Sequence, residues 1–195
     1  MMKLMMFAFA VFVALPSNAQ SYIQKKDGSR IAVAEGGITV DPARKRILYT
    51  PYGKDAVKLK YKEIDSARIG NSILKVCNVA GKERAYYVLA RQDGKALLAM
   101  NTVKTRPAGG YEQKYTRHEL IIADTSNKVL YESGFSDSVD DTNTKRRLEA
   151  VAAIKEHFEQ CPEVLQRLAA YELIDNNVDI ALSKFLKVPV YTECN

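Results

Sequence analysis

The chain has 195 residues, with 29 Lys and Arg against 23 Asp and Glu and a formal charge of +6. That length is enough for one well-buried domain and short for two. The basic excess is spread along the chain without a long block. This argues against nucleic-acid recognition and suits solubility or loose contact with an anionic surface.

The first 19 residues read as a secretory signal peptide. Lys3 precedes an apolar run, and Ser17 and Ala19 form a small-x-small ending, which places cleavage after Ala19. A membrane anchor is the alternative, but the run is shorter than the roughly 20 apolar residues that a bilayer crossing needs. No cysteine stands near the cleavage point to carry a lipid. No second long apolar stretch follows, so no transmembrane segment is expected after removal of the leader. The expected destination is the periplasm or the extracellular space.

Strands follow. Asp27-Gly28 readily takes the positive φ angles of a tight hairpin turn, between apolar-containing runs at 21–25 and 30–34. Ile38, Thr39 and Val40 lead through Asp41-Pro42 to a return strand at Ile47, Leu48 and Tyr49. Residues 57–62 read Val-Lys-Leu-Lys-Tyr-Lys, a strict alternation that sets Val57, Leu59 and Tyr61 on one face and Lys58, Lys60 and Lys62 on the other. The three lysines form a solvated face that also discourages edge pairing, and they are the candidate contact with an anionic membrane or glycan. Shorter strand patterns occupy 64–69 and 72–79. Strands at 84–91 and 96–103 flank an Asp93-Gly94 turn, and the consecutive Tyr86, Tyr87, Val88 and Leu89 point to a central strand buried on both faces. Residues 106–110, Arg-Pro-Ala-Gly-Gly, read as a flexible loop. One more hairpin spans 115–123 and 129–132. Roughly nine or ten strands at turn spacings of about ten residues, with no helix between them, predict an antiparallel meander.

From residue 143 the period changes. Leu148, Val151, Ile154, Phe158, Cys161, Leu165 and Leu168 recur three or four apart, the spacing of one helix face. Thr142 or Asn143 is available as N-cap. Pro162 would break a continuous helix, so the stripe reads as two helices, with Pro162 opening the second. Asp175-Asn176-Asn177 ends that helix, and a third follows with Val178, Ala181, Leu182, Phe185 and Leu186 on its apolar face.

Three cysteines in an exported chain allow one bridge and one leftover thiol. Cys161 with Cys194 is the favoured pair, because both lie in the helical C-terminal part while Cys77 sits inside a strand-like run.

Catalytic signals are sparse. His118 and His157 have no spacing that suggests a shared metal, and His118-Glu119 lacks the second histidine of a zinc-protease helix. Asp137, Asp140 and Asp141 precede the first helix, where carboxylates favour its positive end; they lack the glycine and alternation of a calcium loop. Eleven tyrosines and no tryptophan fit strand surfaces and core more than a sugar-stacking platform. No metal or cofactor is expected.

The Tyr22-Ile23 to Asp27-Gly28 hairpin opening, the Tyr61 to Ile64 step and a late helix broken at Cys161-Pro162 resemble the small secreted β-rich proteins of Bacteroidota. That group carries no assigned activity, so the resemblance implies no catalytic residues.

The expectation is one α+β domain. Residues 20–136 form an antiparallel β-meander curled into a barrel-like or two-layer sheet, and two or three helices within 137–195 cover it. The preferred function is a non-catalytic binding or envelope-associated module. The alternatives are a hydrolase assembled around His118 with Glu119 or the carboxylates of 137–141, and a peripheral binder of anionic membrane or glycan surfaces through Lys58, Lys60 and Lys62.

Overall fold

The computed structural model describes residues 21–51, 54–137, 140–175, 178–187 and 189–194. The leader expected at 1–19, Tyr52 and the helix stop expected at Asn176-Asn177 lie outside the described residues.

Turn chemistry sets the first strands. β1 (Ser21–Lys25) passes into β2 (Arg30–Val33) through Gly28 at φ 85°, while Asp27 Oδ1 accepts from the Ser29 N–H at 2.9 Å. β3 (Ile38–Asp41), β4 (Arg46–Tyr49) and β5 (Val57–Lys60) form a separate three-stranded sheet. The alternating run at 57–62 is a strand only to Lys60; Tyr61–Glu63 closes into a 3-10 turn, in which Glu63 Oε2 accepts from the Lys60 N–H at 3.1 Å. Tyr61 stays buried, but Val57, expected on the same covered face, is 38% exposed.

The main sheet is an antiparallel meander with one long return. β6 (Ile64–Ile69), β7 (Ser72–Val79), β8 (Lys82–Gln92), β9 (Lys95–Ala108), β10 (Tyr111–Asp124) and β11 (Val129–Ser136) follow in order, and β1 with β2 adds beyond β6. β2 and β11 end the sheet without a ladder between them, so it is open and not a closed barrel. The loop expected at 106–110 is mostly strand. β9 runs through Ala108, and the turn contracts to Gly109 and Gly110, at φ 57° and 91°, which two-residue hairpin turns require. β8 pairs with β9 only as far as Tyr87 with Ala99, and β11 reaches β10 only from Arg117. The outer part of the β9–β10 hairpin is therefore a two-stranded ribbon, on which Val103 and Tyr111 are exposed.

The middle of the sheet is buried on both faces, as the run around Tyr86 predicts. Leu97, Ala99, Leu120 and Ile122 pack with the helices, while the alternate residues Leu98, Met100, Ile121 and Ala123 pack into a second cluster with Ile23, Ile47, Leu59 and Tyr61. The two-residue period of a strand divides the core between these clusters.

α1 (Asp141–His157) begins with Asp140 as N-cap, not Thr142 or Asn143. Asp140 Oδ1 accepts from the Asn143 N–H at 2.9 Å, and the Asn143 side chain turns back to accept from the Ser136 N–H at 2.8 Å. α2 (Pro162–Asp175) opens on Pro162 as expected. The buried stripe is Ala150, Val151, Ile154, Phe158, Cys161, Val164 and Leu168, whereas Leu148 is half exposed. Arg147 is buried in its place, donating from Nη1 to the Ser136 carbonyl at 2.6 Å and so tying α1 to the end of β11.

α3 (Val178–Lys187) leads to β12 (Thr192–Glu193), which pairs with β8 in parallel, a strand absent from the sequence-based expectation. Cys161 and Cys194 form the disulfide, with Cα atoms 5.2 Å apart, and Cys77 stays free and buried. Burial pushes the Cys77 thiol pKa up, which keeps it protonated and inert. No helix among the described residues is long and apolar enough to cross a membrane.

Candidate functional site

The two faces of the β9–β10 hairpin carry two different polar constellations, because alternate residues point to opposite sides. One contains His118 and the other contains a row of cations.

His118 stands directly opposite Asn101 in the ladder, on the helix side, and is fully buried. The Asn101 amide donates from Nδ2 to the Leu186 carbonyl at 2.8 Å, so its Oδ1 faces His118 Nδ1, also at 2.8 Å. His118 Nε2 lies 2.6 Å from Asp137 Oδ1, and Lys187 Nζ lies 3.2 Å from Asp137 Oδ2. Burial pulls the His118 pKa down, against the hydrogen bond and charge of Asp137. Burial also tends to raise the Asp137 pKa, but His118 and Lys187 outweigh it and hold the carboxyl below its ordinary value. The result is a string of contacts that joins β9, β10, the end of β11 and α3. The Phe135 ring, 5.4 Å from the imidazole, packs beside it.

That arrangement is a histidine facing a carboxylate, which the hydrolase alternative requires. Among the described residues no nucleophile is hydrogen-bonded to the imidazole. Both ring nitrogens are already engaged, and neither partner is a serine or cysteine. Glu119, the neighbour in sequence, points to the other face and pairs there with Arg84 at 3.3 Å. Of the 137–141 carboxylates, Asp140 caps α1, Asp141 is exposed in its first turn and only Asp137 reaches His118. His157 is half-buried in the last turn of α1. Among the described residues no group of histidine, cysteine or carboxylate ligands could hold a metal ion.

On the opposite face the ladder sets Thr102 against Arg117, Lys104 against Tyr115 and Met100 against Glu119. With Lys82 and Arg84 of β8 these side chains floor an open cleft of about 490 Å3, whose wall is Pro42, Ala43 and Lys45 from the β3–β4 turn together with Tyr61. Five lining residues are cationic and two, Glu83 and Glu119, are acidic. Both acids are paired. Glu83 Oε1 lies 2.8 Å from Lys26 Nζ, and Glu119 lies between Arg84 and Arg117, at 3.3 and 3.5 Å. Gly134 makes room for this arrangement, since a Cβ there would meet Arg117 Nη2 at 3.1 Å. Lys45, Lys82 and Lys104 have no ion pair among the described residues.

A second hollow of about 310 Å3 adjoins the cleft and shares Lys45, Tyr61, Lys82 and Glu83 with it, adding Arg44, Lys60 and Lys62. Two of the three lysines singled out by the alternating run thus line the basic surface. Lys58 does not; it pairs with Leu48 in the small sheet and lies outside both hollows. Lys45, Lys82, Arg84, Lys104 and Arg117 escape sequence reasoning because they come from four separate strands or turns. The linear trace of the cleft is the two-residue spacing of Lys82 and Arg84 in β8.

Tyr61 is 2% exposed and its hydroxyl has no hydrogen-bond partner among the described residues. Burial, with the charge of Asp41 adding to it, pushes the phenol pKa well up, so the group is a neutral donor. An unsatisfied buried hydroxyl costs about 1 to 3 kcal/mol.

No family model, curated protein or solved structure matches the chain.

Proposed function

We propose that the protein is an exported, non-catalytic binding module that acts through the sheet face turned away from its helices. The observation that carries this reading is the contrast between the two faces. Among the described residues, the one histidine paired with a carboxylate, His118, is sealed beneath the helices with both ring nitrogens occupied, while the opposite face carries an open cleft with uncommitted polar groups. The disulfide supports an oxidising destination, in line with the leader-like residues 1–19. A partner in the envelope or a soluble ligand would meet the cleft without displacing any helix.

The test is a thermal-shift screen of the chain from Gln20 onward against soluble metabolites and glycans, repeated on Thr102→Trp, whose indole would fill the cleft floor. A ligand that stabilises the parent chain and not the variant supports the reading. Turnover of chromogenic ester, phosphate or glycoside substrates that disappears in His118→Gln would overturn it.

A further inference from the structure

We infer that the cleft is a binding site for a ligand bearing several anionic oxygens close together, the chemistry of a phosphorylated or polycarboxylated group. The inference deepens the binding-module reading and rests on it.

Charge accounting is the first reason. The two acids of the lining are already neutralised from within the protein, Glu83 by Lys26 outside the cleft and Glu119 by two arginines. Lys45, Lys82 and Lys104 are left without an ion pair among the described residues, on a concave surface where low-dielectric walls strengthen their joint field. Three like charges gathered this way repel one another, and a multiply charged anion removes that repulsion while a neutral ligand does not.

Tyr61 is the second and independent reason. A buried phenol without an acceptor stands in the same wall, held neutral by burial, and an anionic oxygen is the strongest acceptor it could meet. Lysine ammonium groups are flexible point charges without the fixed fork of arginine, so the site selects for charge density more than for one planar group. Arg84 and Arg117 do carry forks, but Glu119 pairs with both and Glu132 lies 3.6 Å from Arg84. Glu119 therefore acts as an internal stand-in for a ligand carboxylate, and it limits affinity.

Neutralising that stand-in has a consequence that a purely structural role would not produce. Glu119→Gln should tighten the binding of an oligoanion, since it removes a negative charge and releases Arg117, while Arg84 keeps Glu132 at 3.6 Å.

The experiment is calorimetric titration of the purified chain with inorganic tripolyphosphate and, separately, with citrate, at two salt concentrations. The expected result is binding that weakens as salt rises. The triple variant Lys45→Gln, Lys82→Gln and Lys104→Gln should weaken it on the order of tenfold or more, and Lys58→Gln should leave it within about twofold, because Lys58 carries the same charge outside the cleft. Tyr61→Phe should weaken it several-fold without lowering the melting temperature, and Glu119→Gln should strengthen it by about threefold. The phenylalanine variant keeps the test valid if the triple variant folds poorly.

Vesicles of anionic and zwitterionic phospholipid separate the two sources of such a group. Anionic vesicles that bind and are displaced by tripolyphosphate place a lipid headgroup in the cleft; binding of tripolyphosphate with no vesicle binding assigns a free solute. Vesicle binding that neither tripolyphosphate nor the triple variant alters overturns the inference. So does equal tripolyphosphate affinity in the parent, the triple variant and Tyr61→Phe. If no anion binds while the screen still returns a neutral ligand lost in Thr102→Trp, the anion class fails and the binding-module reading stands.

Discussion

Breaking the Cys161–Cys194 disulfide should cost a large share of the margin by which this domain is stable. The bridge spans a sequence separation of 33, and on the chain-entropy model a closed loop of that length lowers the entropy of the unfolded chain by an amount worth about 4 kcal/mol at 25 °C. Against a typical total of about 5 to 15 kcal/mol, that is a large share. It should be measurable by urea denaturation, comparing the oxidised chain, the reduced chain and the double variant Cys161→Ala, Cys194→Ala. With a slope of about 2 kcal/mol per molar urea, the midpoint falls by about 2 M. Reduction and double substitution should agree to within the small cost of the lost sulfur atoms, because the cross-link is what they share. The local consequence is specific as well. The Cys194 N–H donates to the Arg91 carbonyl at 2.9 Å, and β12 pairs with β8 at only two residues, so these amides should exchange fast once the bridge is gone. Cys77→Ala, which touches no bridge, serves as control. A stability change below about 1 kcal/mol on reduction, with β12 amides still protected, would refute the view that the bridge holds the C-terminal segment.

Asp137→Asn should lower stability by about 2 to 3 kcal/mol, a value reduced for the partial exposure of Asp137, because it leaves His118 buried without its charged partner; chemical denaturation checks it, and an unchanged midpoint would show that the string of contacts is dispensable. Gly110→Ala should destabilise by about 1 to 2 kcal/mol, since Gly110 sits at φ 91° in the tight turn of the β9–β10 ribbon; thermal melting reads the loss, and a rise in melting temperature would contradict the assigned turn. Acidification should destabilise the fold. Hydrogen bonds from Lys25 and Ser29 hold Asp27 low, those from Ser126 and Lys128 hold Asp124 low, and those from Asn143 hold Asp140 low. A carboxyl with a lowered folded-state pKa contributes stability that is fully present above its unfolded value near 4 and is lost as the pH falls through the folded value. Stability by urea titration should therefore begin to decline below about pH 6.5, where the unfolded chain protonates a histidine that burial keeps neutral in the fold, and fall more steeply below about pH 5 as the carboxylates protonate; a curve rising toward acid would refute these assignments.

Local rules in the chain were enough for most of the elements. Asp27-Gly28 and Asp93-Gly94 turns, alternation in the strands, the change of period after residue 143 and Pro162 at a helix start each depend on residues a few positions apart, and each is present in the fold. Where local signals compete, tertiary pairing decides between them. The tract at 106–110 looked like a loop because it holds proline and glycine, but only the two glycines have the φ angles of a turn, and the ladder between β9 and β10 carries the remaining residues into strands. Asp140 displaced Asn143 as N-cap because the Asn143 side chain was needed at Ser136.

The candidate site belonged almost entirely to tertiary structure. Lys60 and Lys62 were visible as part of an alternating run, yet that run alone could not show that Lys45 and Lys82 meet them or that Lys58 does not. The pairing of His118 with Asp137 was equally hidden, because it needs the end of β11 to fold back beside β10. A strand's two-residue period settles which side chains share a face, and it did so here from sequence. Which charges gather over that face, and which of them are already neutralised, depends on register and on the curl of distant strands, which only the folded chain sets.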